Sequence, residues 1–409
     1  MSVPDPTQPA ARHRAGAPER LHGLVAVRAL ALLMVVTMHA TLSFLPGAQV
    51  WFVVDADRSL ALAIVAYVLR MFQMLLFFIV AGYFGHGSFT RLGRRAFVRD
   101  RLQRIALPLA VALPITLACF VALLAWIAAV GATDTMPVPE RPAPTFMPND
   151  FPLLHLWFLW VLLLLYAVTL LIDATIGRLD RRHRAGAVAD RVVGYLVTRR
   201  LPLLLALPLA LTLYRLDPWY VAAGIPTPGG SLVATPPAWV AFGSAFALGW
   251  FVQRQPRLLE VWQRRWLGNL ALALVATLAC LAVLRHPAMP TLAGPDGIKL
   301  AYAGCFAVGA WCWAFGIIGI GLRFMTGFSP VRRYIADASY WVYLIHLPII
   351  VALQVVVARL QWPWMVKFPL ILVLGGAVMF VSYHWLVRYT NIGAVLTGRR
   401  RARPQAASA

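Results

Sequence analysis

Residues 23–45 read GLVAVRALALLMVVTMHATLSFL, a stretch with only two ionisable side chains, Arg28 and His39. A helix of that length rises about 35 Å, enough to cross a hydrocarbon layer about 30 Å thick. It is also too long for the apolar region of a signal peptide, which predicts an uncleaved first helix behind an unstructured arm over residues 1–20, rich in Pro, Ala and Arg. Nine further apolar runs fall at about 60–84, 105–130, 153–175, 201–216, 233–253, 267–284, 298–320, 338–358 and 366–387. Hydrophobic residues make up 61% of the 409 and charged residues 13%, with a mean hydropathy of +0.73. A soluble chain, at roughly 25% charged, has the polar surface that this one lacks. The sequence therefore predicts an all-α integral membrane protein, a bundle of about ten transmembrane helices forming one domain over residues 21–390, followed by a basic tail at 391–409.

The formal charge of +22 raises the possibility of nucleic-acid binding, but the basic residues form no single stripe or tail and lie between apolar runs. Their placement reports topology. With the N-terminus inside, 28 of the 37 Lys and Arg fall in the arm, the alternate loops and the tail, 6 in the outside segments and 3 within helices. A missed helix would invert every later loop, so the positive-inside bias supports ten spans, both termini in the cytoplasm and a multi-pass protein of the cell (inner) membrane. The outside loop 131–152 and the segment 217–232, both rich in Pro, read as ordered turns or lids rather than domains. Cys119, Cys280, Cys305 and Cys312 all lie in apolar runs without metal-like spacing, and no His, Cys, Asp or Glu cluster suggests a metal.

Ionisable residues within a span mark function by default. Arg28 and His39 are eleven residues apart, so at about 100° per residue they share a face about 16 Å apart along the axis. They would line one channel at two depths. The plain alternatives are that Arg28 snorkels to phosphates and that His39 bonds a neighbouring helix. Arg70 falls between them in depth in the second helix and would receive an anionic group, such as the carboxylate of a succinyl-type acyl chain, unless backbone carbonyls or water serve it.

The segment from Arg28 to His39 resembles the Arg, ten residues, His signature of the membrane-bound acyltransferase 3 family. Four more segments look like the same family: Phe77 to Tyr83, the Arg-rich loop with Arg94-Arg95 and Arg101-Leu-Gln-Arg104, the His155-Leu-Trp157 opening of the fourth helix, and Ser339 to His346 in the ninth. The last two look closest to the subgroup that modifies periplasmic glucans. The resemblance implies transfer of an acetyl- or succinyl-type group, commonly from cytoplasmic acyl-CoA, to a hydroxyl of an extracytoplasmic glycan or related acceptor. It requires no bound cofactor.

On that reading His39 and Arg28 are the catalytic pair. Imidazole, with a solution pKa of about 6.5, can take a hydroxyl proton near neutrality, and Arg28 anchors the donor. Ser43, one turn after His39, leaves a seryl intermediate conceivable, but direct attack by the acceptor is simpler. Arg94, Arg95, Arg101 and Arg104 would grip CoA phosphates, the alternative being ordinary positive-inside charge against lipid headgroups. Arg70, His155, Trp157, Tyr340, Tyr343 and His346 would line the substrate cavity, with helix packing and the interfacial aromatic belt as the alternatives. His86 and His384 are expected to be solvated. Expected partners are the acyl-CoA, the hydroxyl acceptor and membrane lipids. The rival functions are a transporter or flippase of an anionic sugar or lipid, which needs the buried arginines but no chemistry, and a membrane scaffold, which needs neither.

Overall fold

The computed structural model describes residues 9–47, 51–130, 144–179, 184–199, 202–284 and 296–397. Among them are helices α1 (Pro9–Thr41), α2 (Leu60–Leu92), α3 (Arg94–Arg101), α4 (Leu107–Val130), α5 (Trp157–Leu179), α6 (Arg184–Thr198), α7 (Pro202–Tyr214), α8 (Pro236–Arg254), α9 (Leu258–Leu284), α10 (Asp296–Phe324), α11 (Pro330–Ala358), α12 (Trp364–Ser382) and α13 (Asn391–Thr397), with no strand. Local chemistry sets several boundaries. The Ser59 hydroxyl accepts from Leu62 N at 3.3 Å and starts α2. Ser329 does the same for Arg332 N, with Pro330 pre-set for the first helical position of α11.

The chain is an all-α membrane protein. Each of the ten expected apolar runs coincides with a helix, but among the described residues eight helical stretches are long and apolar enough to cross a membrane. The two that fall short are α7 and α8. At 13 residues α7 is about 20 Å long, while α8 has the length but carries Gly243, Ser244, Gly249 and a polar last turn. Burial compensates for the weak hydropathy of α8: Ala238, Ala241, Phe242 and Ala245 have 0% exposure. Two segments read as loop or arm are helical. The backbone of residues 9–20 continues α1, and α6 occupies most of the expected loop 178–200. The outside loop expected at 131–152 lies outside the described residues up to 143.

The main core joins α2, α5, α8 and α10 through aromatic contacts such as Phe78 stacked on Phe242 at 4.8 Å. Helices α2 and α8 meet at two glycines. A Cβ on Gly82 would lie 2.0 Å from Phe246 O, and one on Gly249 would lie 1.9 Å from Ile79 O. Only hydrogen side chains allow this approach, the arrangement by which membrane helices gain packing without a hydrophobic driving force. The junction between α3 and α4 is a π-helical turn, Leu102–Ala106.

Candidate active site

Arg28, on α1, opens onto a cavity of about 380 Å³ bounded by α2, α5, α11 and the π-helical turn, within the range of small-ligand sites. Arg101 and Arg104 line it as well. The π-turn is where Pro108 becomes consequential. It carries no N–H, so the carbonyl four residues earlier, that of Arg104, loses its helical donor; the Tyr340 hydroxyl donates to it instead, at 2.6 Å. Asp100 holds both neighbouring guanidinium groups, Arg101 Nη2 at 2.6 Å and Arg104 Nε at 2.9 Å. Arg101 also lies over the Phe97 and Tyr166 rings, 4.9 and 5.1 Å from their centroids. Arg28 donates to Ala336 O at 2.7 Å, while its Nε and that of Arg101 are buried without a partner. Three guanidinium groups thus face one space in which Asp337 also sits.

Of the lining residues, Phe158 on α5 and Tyr343 on α11 lie nearest along their helices to His155 and His346, with ring centroids 5.8 Å apart. Beyond them is a cluster of three imidazoles. His39 and His346 are 5.0 Å apart between ring centroids, and His155 and His346 4.9 Å. A proline positions this group too. Pro348 deprives Leu344 O of its helical donor, and His155 Nε2 occupies it at 3.1 Å. His346 Nδ1 donates to Tyr343 O at 2.8 Å, and His39 Nδ1 to Val35 O at 2.9 Å. A carbonyl only accepts, so each neutral ring keeps its proton on the bonded nitrogen and presents a lone pair on the other. Two of those nitrogens, His155 Nδ1 and His346 Nε2, are buried with no hydrogen-bond partner.

The segment 51–59 before α2 forms a strap beside His39. Trp51 packs on His39 at 5.9 Å and donates from Nε1 to Gln354 Oε1 at 2.8 Å; Gln354 Nε2 in turn donates to the carbonyls of His39 and Ala40 at 3.0 and 3.3 Å. The strap is fixed by a buried ion pair. Lys367 Nζ lies 2.9 Å from both carboxylate oxygens of Asp55, at 2% and 1% exposure, and the Asp57 side chain accepts from Trp364 N at 2.6 Å at the start of α12.

A family profile described as an acyltransferase domain, that of the acyltransferase 3 family, matches residues 21–384 and so takes in the cavity, the imidazoles and the strap. The chain belongs to the acyltransferase 3 family. It is also similar to two glucans biosynthesis proteins C, at 29% identity to that of Shigella boydii serotype 4 (strain Sb227) and 28% to that of Escherichia coli (strain K12), each over 97 residues. The match spans about a quarter of this chain and a quarter of either relative, 24% and 25%. No solved structure matches the chain significantly.

Within this acyltransferase 3 chain the residues singled out from sequence separate into groups. Arg28, Arg101, Arg104, Tyr340 and Tyr343 line the cavity, and His39, His155 and His346 form the imidazole cluster. Arg94 and Arg95 are outside both: Arg94 is exposed and bonds Leu170 O and Asp173 at 3.0 and 3.2 Å, and Arg95 is exposed. They precede the π-turn that brings Arg101 and Arg104 to the cavity. Trp157 points into the core against Phe242 at 5.3 Å. Arg70 is half-buried on α2. His86, expected to be solvated, is buried against Trp250 and bonds Gln253, because the glycine contact draws α8 across it. His384 is half-buried among Tyr334, Trp385 and Tyr389. Trp51, Gln354, Asp55 and Asp100 were not foreseen. The one available signal was an acid two residues from another, Asp55 and Asp57, beside an apolar run.

Proposed function

We propose that the protein transfers an acyl group from a cytoplasmic acyl-CoA to a hydroxyl of an extracytoplasmic glycan, with the Arg28 end of the site facing the cytoplasm. The observation that carries this reading is the order of groups along the helices: an arginine-lined cavity, then Tyr343 and Phe158, then three imidazoles, two of them with an unpaired nitrogen. Guanidinium groups suit the phosphates of the donor, and Asp100 keeps Arg101 and Arg104 oriented before it binds. The slender pantetheine arm would pass Tyr343 and bring its thioester to His39.

His39 Nε2 then takes the proton of the acceptor hydroxyl as the oxygen attacks the thioester carbon. The C–O bond forms, the C–S bond breaks, and the proton passes to the departing thiolate to give free CoA and the ester. Arg70 supplies positive charge near the carbonyl oxygen as it becomes anionic, or receives the carboxylate of a dicarboxylic acyl chain. The similar proteins are named for the biosynthesis of glucans, which supports a glucan as the acceptor. The test is mass spectrometry of cell-envelope glycans with the protein present, absent, or replaced by His39→Ala. An ester present only with the wild-type protein is expected; identical glycan masses in all three would refute the reading.

A further inference from the structure

An imidazole nitrogen buried without a donor is uncommon, because leaving it so forfeits the hydrogen bond it had with water. Two adjacent rings here do this, and for the same reason. His155 spends its N–H on Leu344 O and His346 spends its own on Tyr343 O, leaving His155 Nδ1 and His346 Nε2 as buried acceptors on rings 4.9 Å apart. His346 has 0% exposure and His155 6%. Among the described residues nothing donates to either nitrogen, which points to a group that carries hydrogen-bond donors and comes from outside the bundle.

The surroundings narrow its chemistry. Both rings are buried within the helical bundle, a setting in which a cationic amine bears the cost of a buried charge. An anion offers acceptors where acceptors already stand. A neutral polyol offers what the two nitrogens lack. The neighbouring side chains are aromatic, with Tyr343 at 5.7 Å from His155 and Trp51 at 5.9 Å from His39, and suit the apolar faces of a sugar ring.

Resting on the acyl-transfer reading, we propose that His155 and His346 form a subsite for an uncharged, polyhydroxylated acceptor, each accepting a hydrogen bond from a hydroxyl that is not the one acylated. These hydroxyls fix the sugar so that the reacting one reaches His39. The two histidines are positioning residues, and they select sugars over simple alcohols and amines.

The test couples side chain to hydroxyl. Full-length protein in lipid nanodiscs is given acetyl-CoA and either methyl glucoside or each of its monodeoxy analogues, with CoA release and ester formation followed for wild type, His346→Phe, His346→Gln and His155→Leu. In the wild type, removing one particular hydroxyl should raise the acceptor KM roughly 3- to 10-fold, the effect of one neutral hydrogen bond. In His346→Phe that removal should cost nothing further, whereas His346→Gln, which keeps an acceptor, should retain part of the dependence. The KM for acetyl-CoA should not change. His155→Leu should show the same behaviour toward a different hydroxyl and carries the comparison if His346→Phe does not fold. If every deletion keeps its wild-type effect in the variants, the nitrogens hold water or serve packing, and the subsite is wrong while acyl transfer stands. If the wild type releases no CoA with any acceptor, the transfer reading falls and the subsite with it.

Discussion

Pro108 and Pro348 each remove one helical N–H, and in each case the freed carbonyl, of Arg104 or of Leu344, is claimed by a side chain from elsewhere: Tyr340 in one, His155 in the other. Pro348→Ala would restore the helical partner of Leu344 O and compete with His155. We therefore expect thermal stability equal to or above wild type, since proline in a helix interior is destabilising, together with about tenfold weaker acyl transfer from a misplaced ring. Stability and activity falling together would mean that Pro348 acts only through packing. His39→Ala should cut turnover by about 10² to 10⁴, the usual loss for a general base, with donor KM little changed; Arg101→Ala should instead raise the donor KM. Steady-state kinetics with varied acyl-CoA separates the two, and a wild-type rate for His39→Ala would remove it as the base. The prolines and the freed carbonyls are legible in the sequence by the simple rule of four residues back. Which side chain arrives is not, because the partners are 189 and 236 residues away.

Helix packing rests on contacts that tolerate little change. A methyl on Gly82 or Gly249 would fall at 2.0 or 1.9 Å from a backbone oxygen of the facing helix, whereas on Gly243 it would meet only Leu165 Cδ2 at 3.8 Å. Gly82→Ala and Gly249→Ala should each lower stability by about 1–3 kcal/mol and Gly243→Ala should be near neutral; detergent-solubilised thermal melts check this, and equal effects at all three would deny the close crossing. The Asp55–Lys367 pair ties the strap to α12, and a buried charge left alone costs about 3–5 kcal/mol. Asp55→Leu and Lys367→Met should therefore each destabilise more than the double variant, in which no charge is orphaned. The length of the apolar runs made the long helices legible; Ser59 and Ser329 set the start of two of them. It overstated α7, whose run is too short to cross alone, and α8, whose burial comes from glycine contacts rather than hydropathy. The ion pair was illegible because Asp55 and Lys367 are 312 residues apart and each, alone, reads as an ordinary loop charge.

For the molecule as a whole, the charge distribution that suggested the number of spans also carries the proposed orientation. A reporter active only outside the cytoplasm should be active when fused within 131–152 and silent within 178–200, since Arg141 is the sole basic residue in the first and seven arginines lie in the second; the reverse pattern would put the arginine cavity on the wrong side for a cytoplasmic donor. Family membership was legible from five separated segments because their order, rather than any one of them, is specific, and the profile spanning residues 21–384 agrees. The pairing of Tyr343 with Phe158 beside the imidazoles was not, since it depends on how α5 and α11 pack. The central claim is that the arginine-lined cavity and the imidazole cluster are the two halves of one transfer. Its most direct measurement uses proteoliposomes of uniform orientation, with acetyl-CoA labelled in the acetyl group on the Arg28 side and a glucan oligosaccharide confined to the His39 side. The account predicts labelled ester on the glucan with wild type and none above background with His39→Ala. Ester formed only when donor and acceptor share one side, or undiminished in His39→Ala, would contradict it.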